Sequence, residues 1–161
     1  MIYLRCYGVE IWQIATLSAA FEGTILIFEL PTGGFADVFG RKTSMQLAKI
    51  FQAISALVYA ISRGFHGFLI AEIIMGIGEA FMSGSLDAWL IDTLKYQKRE
   101  SDIKIVLSNG LRFSQIGFLA GASIGGVLGG YAITLIWYPV AALHLIGLVV
   151  VTTFMRETYF I

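Results

Sequence analysis

Long apolar stretches, each about the length of a bilayer crossing, alternate along this chain with short polar clusters. Reading between the charged clusters predicts helices near residues 11–31, 44–62, 66–91, 105–130 and 137–155. A hydrocarbon core takes roughly 20 helical residues, so each stretch can span with some tilt. From Phe113 to Met155 there is no charged side chain, which leaves room for two crossings and a tight turn. The stretches lack the two-residue alternation of barrel strands, and a backbone in lipid must satisfy its own hydrogen bonds. The predicted fold class is therefore an all-α membrane protein, a multi-span transmembrane helical bundle of about five helices.

Composition agrees with that reading. The 161 residues are 57% hydrophobic and 14% charged, with a mean hydropathy of +0.78 and no net formal charge, unlike an ordinary soluble domain. Cys6 is the single cysteine, so neither a disulfide framework nor a cysteine-ligated metal is expected. The start, MIYLRCYGVEIWQ, lacks the apolar core and cleavage site of a signal peptide. Arg41, Lys42, Lys95, Lys98, Arg99, Lys104 and Arg156 fall in one set of connecting segments, whereas the other set carries only Arg5 and Arg63. The positive-inside rule places the first set in the cytoplasm. Met1 then lies outside, with an upstream helix missing or left as a remnant in IYLRCYGV. Trp12, Trp137 and Tyr138 fall at the outer helix ends and suit an interfacial aromatic belt.

Acidic residues inside the stretches call for protein or water around them. Glu72, Glu79 and Asp87 would together cost roughly 9 kcal/mol at mid-membrane, against about 4 kcal/mol returned by the Phe, Leu and Ile residues of the same helix. At about 100° per residue, Glu72, Gly76, Glu79, Ser83 and Asp87 share an arc of about 80°, a polar stripe suited to lining a cavity. Ser18, Glu22 and Glu29 share a face of the first helix, and Ser108, Arg112 and Gln115 share one of the fourth. Arg112 and Asp87 stand at compatible depth, so an ion pair between them is expected. Glu79 or Glu22, desolvated, would be the proton carrier. Lys49 is expected to snorkel to the cytoplasm, and His66 and His144 to be interfacial or packing residues. The segment YQKRESDIK, residues 96–104, reads as a solvated loop, not a nucleic-acid patch.

The compact polar insert GGFADVFGRK, residues 33–42, is more specific. Its Gly33, Phe35, Ala36, Asp37, Gly40, Arg41 and Lys42 resemble GxLaDrxGRk, the signature of the major facilitator superfamily of transporters, with Val38 where the family usually has a cation. GEAFMSGSLDAWLIDTL, residues 78–94, is similar to a fourth-helix pattern, SGxxEAWLxDxL, of a bacterial subgroup, with Asp87 in place of glutamate. GFLAGASIGG, residues 117–126, resembles the fifth-helix antiporter motif gxxxGPxxGG, with Ala122 in place of proline. Where the family's fourth-helix motif RxxQG has arginine and glutamine, this chain has Glu72 and Met75.

The resemblance implies part of the N-terminal six-helix half of a transporter, residues 1–161 forming a single incomplete domain. Missing partners would be the first helix and the C-terminal half, beside the lipid bilayer, a small-molecule substrate and protons. It also implies that Gly33, Asp37, Gly40, Arg41 and Lys42 form a conformational latch, with Asp92 as the partner of Arg41. Glycine needs little space, and Asp37 could accept the free N–H groups of a helix start. Glu22, Glu29, Glu72, Glu79, Asp87, Arg112 and Gln115 are candidates for the substrate or proton pathway. The repeat of Gly117, Gly121, Gly125 and Gly129, with Gly126, signals close helix packing. The expected function is secondary transport by alternating access, proton-coupled efflux included, in a bacterial inner membrane. A non-transporting scaffold, or a half-length protein that dimerises, is the alternative. No nucleophile elbow, metal-ligand spacing or phosphate loop is present, so neither enzyme, cofactor nor metal is expected.

Overall fold

The computed structural model describes Leu4 and residues 7–131 and 133–157. The expectations attached to Arg5 and to most of IYLRCYGV lie outside the described residues. The elements are α1 (Ile11–Phe39), α2 (Arg41–Ile61), α3 (Phe65–Met82), α4 (Ser85–Tyr96), α5 (Ile103–Tyr131) and α6 (Trp137–Phe154), with 3₁₀ turns at Glu100–Asp102 and Ile133–Ile136. With α3 and α4 taken as one, five stretches are long and apolar enough to cross a membrane, in keeping with the expected all-α bundle.

Two boundaries differ from expectation. α1 runs through Pro31, Gly33 and Gly34 to Phe39, so most of GGFADVFGRK is helix, not loop. Lipid offers no water to a broken helix, and a proline is tolerated where neighbours hold the backbone. Here the Thr32 hydroxyl donates to the Ala80 carbonyl at 2.9 Å, tying α1 to α3 just past the proline. The chain turns at Gly40 alone, with φ 92° and ψ 148°, a conformation that favours glycine. Conversely, the expected helix at 66–91 is two helices, because Gly84 adopts φ 69° and ψ −22° between α3 and α4.

α3 is the central element, seated by glycines on two faces. A Cβ at Gly76 would lie 2.8 Å from Thr24 Cβ and 2.9 Å from the Phe21 carbonyl oxygen of α1. One at Gly78 would lie 3.1 Å from the Ala48 carbonyl oxygen and 3.2 Å from the Gln52 nitrogen of α2. Small residues thus let three backbones approach, as is usual where lipid supplies no hydrophobic drive between helices. Hydroxyls of α2 complete the seam. Ser44 donates to the Phe81 carbonyl at 2.7 Å, and Ser55 to the Ala71 carbonyl at 2.8 Å.

Toward the start of α3, Phe68 is fully buried with Leu17 and Tyr59, and Tyr59 stacks on Trp137 with centroids 4.1 Å apart. This joins α6 to α2. Trp12 and Tyr138 are exposed in the first turns of α1 and α6. Arg63, at the same end, donates to the Tyr7 hydroxyl at 2.8 Å.

α5 stands apart, with no buried residue. Among the described residues, nothing lies within 4 Å of a Cβ placed at Gly117, Gly121, Gly125 or Gly126, and Gly129 meets only Ile136 of the following turn. The glycines that seat helices here are therefore Gly76 and Gly78, not the expected repeat of α5. That repeat presents an open face.

Gly78→Val should force α2 and α3 apart and cost about 1–3 kcal/mol. In thermal unfolding of the detergent-solubilised chain this is a fall of several degrees, at ~2–4 °C per kcal/mol. Gly121→Ala, with open space around it, should leave the midpoint unchanged or slightly raised.

Candidate functional site

One end of the bundle gathers four helix termini. Arg41, the first residue of α2, places Nη2 3.2 Å from Asp92 Oδ2 in the last turns of α4, the two side chains being 26% and 34% exposed. The fold thus brings together two residues that the resemblance paired. The free N–H groups at the start of α2 carry positive character and attract an acid, and Glu157, just past α6, supplies it. Its Oε1 accepts from the Lys42 backbone N–H at 2.9 Å. A Cβ at Gly40 would also crowd the same carboxylate, which adds to the preference for glycine already set by its positive φ.

Lys42 reaches the opposite kind of terminus. Its Nζ donates to the Thr152 carbonyl at 2.8 Å, where the last carbonyls of α6 favour a cation. Gln46 donates to the Thr152 hydroxyl at 2.9 Å, and Trp89 Nε1 donates to the Arg156 carbonyl at 3.0 Å. Met45, Val151 and Met155 form a small apolar cluster under these bonds, with Met82 and Trp89 packed on it. The result is a clamp that binds α2, α4 and α6.

Asp37 does not take the capping role expected of it. It is exposed in the last turn of α1 and, among the described residues, makes no hydrogen bond or ion pair. Because α1 stays helical to Phe39, Asp37 remains on an outer face, and Glu157 occupies the helix start instead. Gly33, helical and exposed, has no neighbour a Cβ would meet. Sequence reasoning missed Glu157. Its signal was an acid closing an apolar helix at the end where GRK opens another without a cap.

The acids of the expected stripe are engaged by neighbouring helices. The Tyr59 hydroxyl donates to Glu72 Oε1 at 2.6 Å, and Gln52 Nε2 donates to Glu79 Oε1 at 2.7 Å. Ser83 Oγ lies 3.3 Å from Glu29 Oε1, and Gly76 packs on α1. The break at Gly84 then interrupts the stripe before Asp87, so no continuous polar face runs the length of this helix. Such partners offset a charge that would cost about 3 kcal/mol alone in lipid.

Lys49 also departs from expectation. Its Nζ donates to Gln52 Oε1 at 2.9 Å, three residues further from the clamp end, and its stem lies against Gly147 of α6. It points into the bundle. His144 is half-buried on α6 and His66 exposed on α3.

Asp87 is exposed and lines a cavity of about 530 Å³ between α4 and α5, with Leu86, Leu90, Leu107, Leu111 and Ser114. The expected ion pair with Arg112 is absent among the described residues. α5 turns Gly110, Leu111 and Ser114 toward that cavity, and Arg112 lies about 100° round the helix from Leu111. Arg112, Gln115 and Glu22 are exposed. Ser18 is exposed too and donates to its own helix at Ile14, and the 96–104 segment is largely exposed, with Arg99 paired to Asp102 at 2.8 Å.

Membrane-length helices, a glycine-seated central helix and an ion-paired clamp across helix termini define a multi-pass helical membrane protein. Residues 5–160 match the model of the Major Facilitator Superfamily, and the chain belongs to that family. It is 26% identical over 142 residues to Multidrug resistance protein 2 of Bacillus subtilis (strain 168), covering 88% of this chain and 34% of the relative. It is 24% identical over 144 residues to Multidrug resistance protein 1 of the same organism, covering 89% and 36%. The vacuolar membrane amino acid uptake transporter fnx2 of Schizosaccharomyces pombe is 25% identical over 119 residues, covering 74% and 19%. The chain spans about a third of the length of the first of these relatives.

A double-mutant cycle on Arg41→Ala and Asp92→Ala should give a coupling of about 0.5–1 kcal/mol, modest because both side chains reach solvent. Repeated at rising ionic strength, the coupling should shrink. Glu157→Gln should lower stability by about 0.3–1 kcal/mol through loss of charge at the start of α2.

Proposed function

We propose that this chain is most of the N-terminal half of a secondary transporter that works by alternating access, exporting a small molecule from a bacterial cell. The observation that carries this reading is the Arg41 and Asp92 ion pair, which joins the two segments most like the family's signatures. In this role Gly40, Arg41, Lys42 and Asp92 make up a latch that is closed in one state and open in the other, and Gly33 and Asp37, which touch none of these groups here, would join it only in another state. The clamp end is cytoplasmic, since Lys and Arg concentrate there. Export is supported by the multidrug-resistance relatives, and the amino acid transporter among the relatives leaves the substrate class open.

Protons are the coupling ion in this reading. Glu72 and Glu79 are held inside the bundle, and Glu22 and Glu29 stand on α1. Asp87 lines the cavity between α4 and α5, and Arg112 and Gln115 stand exposed on another side of α5, open to a substrate or to a further helix. The open glycine face of α5, from Gly117 through Gly121, Gly125 and Gly126 to Gly129, suits a helix or second half supplied from outside the chain, as alternating access between two halves requires. The same open face also fits a half-length protein that dimerises.

In vesicles carrying the whole transporter, Arg41→Ala and Asp92→Ala should each slow export about two- to fivefold, the loss of about 0.5–1 kcal/mol of state-dependent interaction. The exchange of both charges, Arg41→Asp with Asp92→Arg, should recover part of the rate. Export unchanged in both single variants, at equal insertion, would remove the latch. A dimer of this chain that exports unaided would favour the half-length reading.

A further inference from the structure

Two helices each leave one whole face uncovered. On α1, positions 15, 19, 22, 26, 29, 33 and 37 fall within an arc of about 80°, and every one of them is exposed. On α5, positions 104, 108, 112, 115, 119, 122 and 126 share a similar arc of about 80° and are exposed as well. Counted from the clamp end, where α1 stops and α5 starts, the two series have the same spacing. Their charges are opposite. The α1 face carries Glu22, Glu29 and Asp37 and no base, whereas the α5 face carries Lys104 and Arg112 and no acid. We propose that α5 of a second copy of this chain docks antiparallel against α1, setting Asp37, Gly33 and Glu29 opposite Lys104, Ser108 and Arg112.

The polar members of these faces are poorly placed against lipid. Glu22 stands near the middle of α1, where a carboxyl, charged or neutral, needs a partner. Among the described residues, the side chains of Glu22, Asp37, Lys104 and Arg112 make no hydrogen bond or ion pair, and Glu29 has only Ser83 Oγ at 3.3 Å. Docking supplies what they lack. Glu29 and Asp37 meet cations at their own depth, and Gln115 comes within one turn of Glu22.

Small residues allow the approach. Gly33 and Ser108 lie between the two charged pairs, and further along the seam Ala19 faces Ala122 and Ala15 faces Gly126. Nothing lies within 4 Å of a Cβ placed at Gly33 or Gly126, so both stand open to a neighbouring backbone. The other pairings of two copies fail on charge or topology. α1 on α1 sets acid against acid, and α5 on α5 sets base against base. An inverted copy would carry its basic segments to the wrong side of the membrane. Since each copy has both faces, a two-fold axis along the membrane normal would form the mixed seam twice. The inference concerns assembly and goes beyond the transport reading, and its failure would leave the Arg41 and Asp92 latch as proposed.

The test is disulfide cross-linking of the full chain in lipid vesicles, with the single native cysteine replaced (Cys6→Ser). Gly33→Cys and Ser108→Cys chains that carry different tags, reconstituted together, should oxidise to a dimer holding both tags. Neither should link to itself. Ser108→Cys with Ala15→Cys, out of register by about 27 Å, should not link. Adding Arg112→Glu to the Ser108→Cys chain should slow the mixed link about tenfold, and Glu29→Arg in its Gly33→Cys partner should restore it. A mixed pair that does not link, as when lipid or another helix covers these faces, overturns the inference. So does self-linking as fast as the mixed link, or a mixed link indifferent to the charge reversal.

Discussion

The close approach of α3 to α1 on one side and α2 on the other governs the rest of the bundle. Gly76 and Gly78 are two residues apart and therefore face different neighbours. Each brings backbone against backbone, close enough for Ser44, Ser55 and Thr32 to donate across the seams. The same closeness brings Tyr59 and Gln52 within bonding distance of Glu72 and Glu79. A wider separation would leave both acids without donors, at the cost of an uncompensated charge in lipid. Apolar packing and charge placement in this protein are consequences of one spacing.

The clamp uses a different resource, the unpaired groups of helix ends. α2 begins at Gly40 without a side-chain cap of its own, and its free N–H groups are answered by Glu157 from beyond α6. α6 ends with free carbonyls, and one is answered by Lys42 from the start of α2. The two antiparallel helices thus complete each other's termini, with opposite charges at opposite poles. Arg41 adds α4 through Asp92. Little of this depends on a deep core, as the proposed latch would require.

Bilayer thickness sets helix length, and that made the helical bundle and most of its helices legible in the pattern of charges. The boundaries at Phe39 and Gly84 were not. Pro31, Gly33 and Gly34 signal a stop in water, whereas in lipid a helix held by Thr32 continues. Gly84 signals nothing alone, since a lone glycine is common within membrane helices. The pairing of Arg41 with Asp92 was readable because both stand in recognisable motifs at one end. Glu157 and Lys49 were not, because their partners lie on helices distant in sequence. A lysine two turns inside a helix reads as one that snorkels, until the glutamine one turn deeper is seen to accept a hydrogen bond from it. Arg112 was paired with Asp87 by depth alone, and depth says nothing about which face of α5 meets α4.

The left-handed turn at Gly84 separates two jobs within one crossing. α3, above it, is wedged between neighbours and cannot shift without unseating them. α4, below it, follows a residue whose dihedral angles are freer than any other's, and its first residue, Ser85, is tied back to the Phe81 carbonyl at 3.0 Å. A small rotation there would swing Asp92 through an arc whose radius is about two-thirds of the length of α4, while the acids held by Tyr59 and Gln52 stay where they are. The crossing is thus a wedged segment and a clamped one that meet at a single left-handed residue.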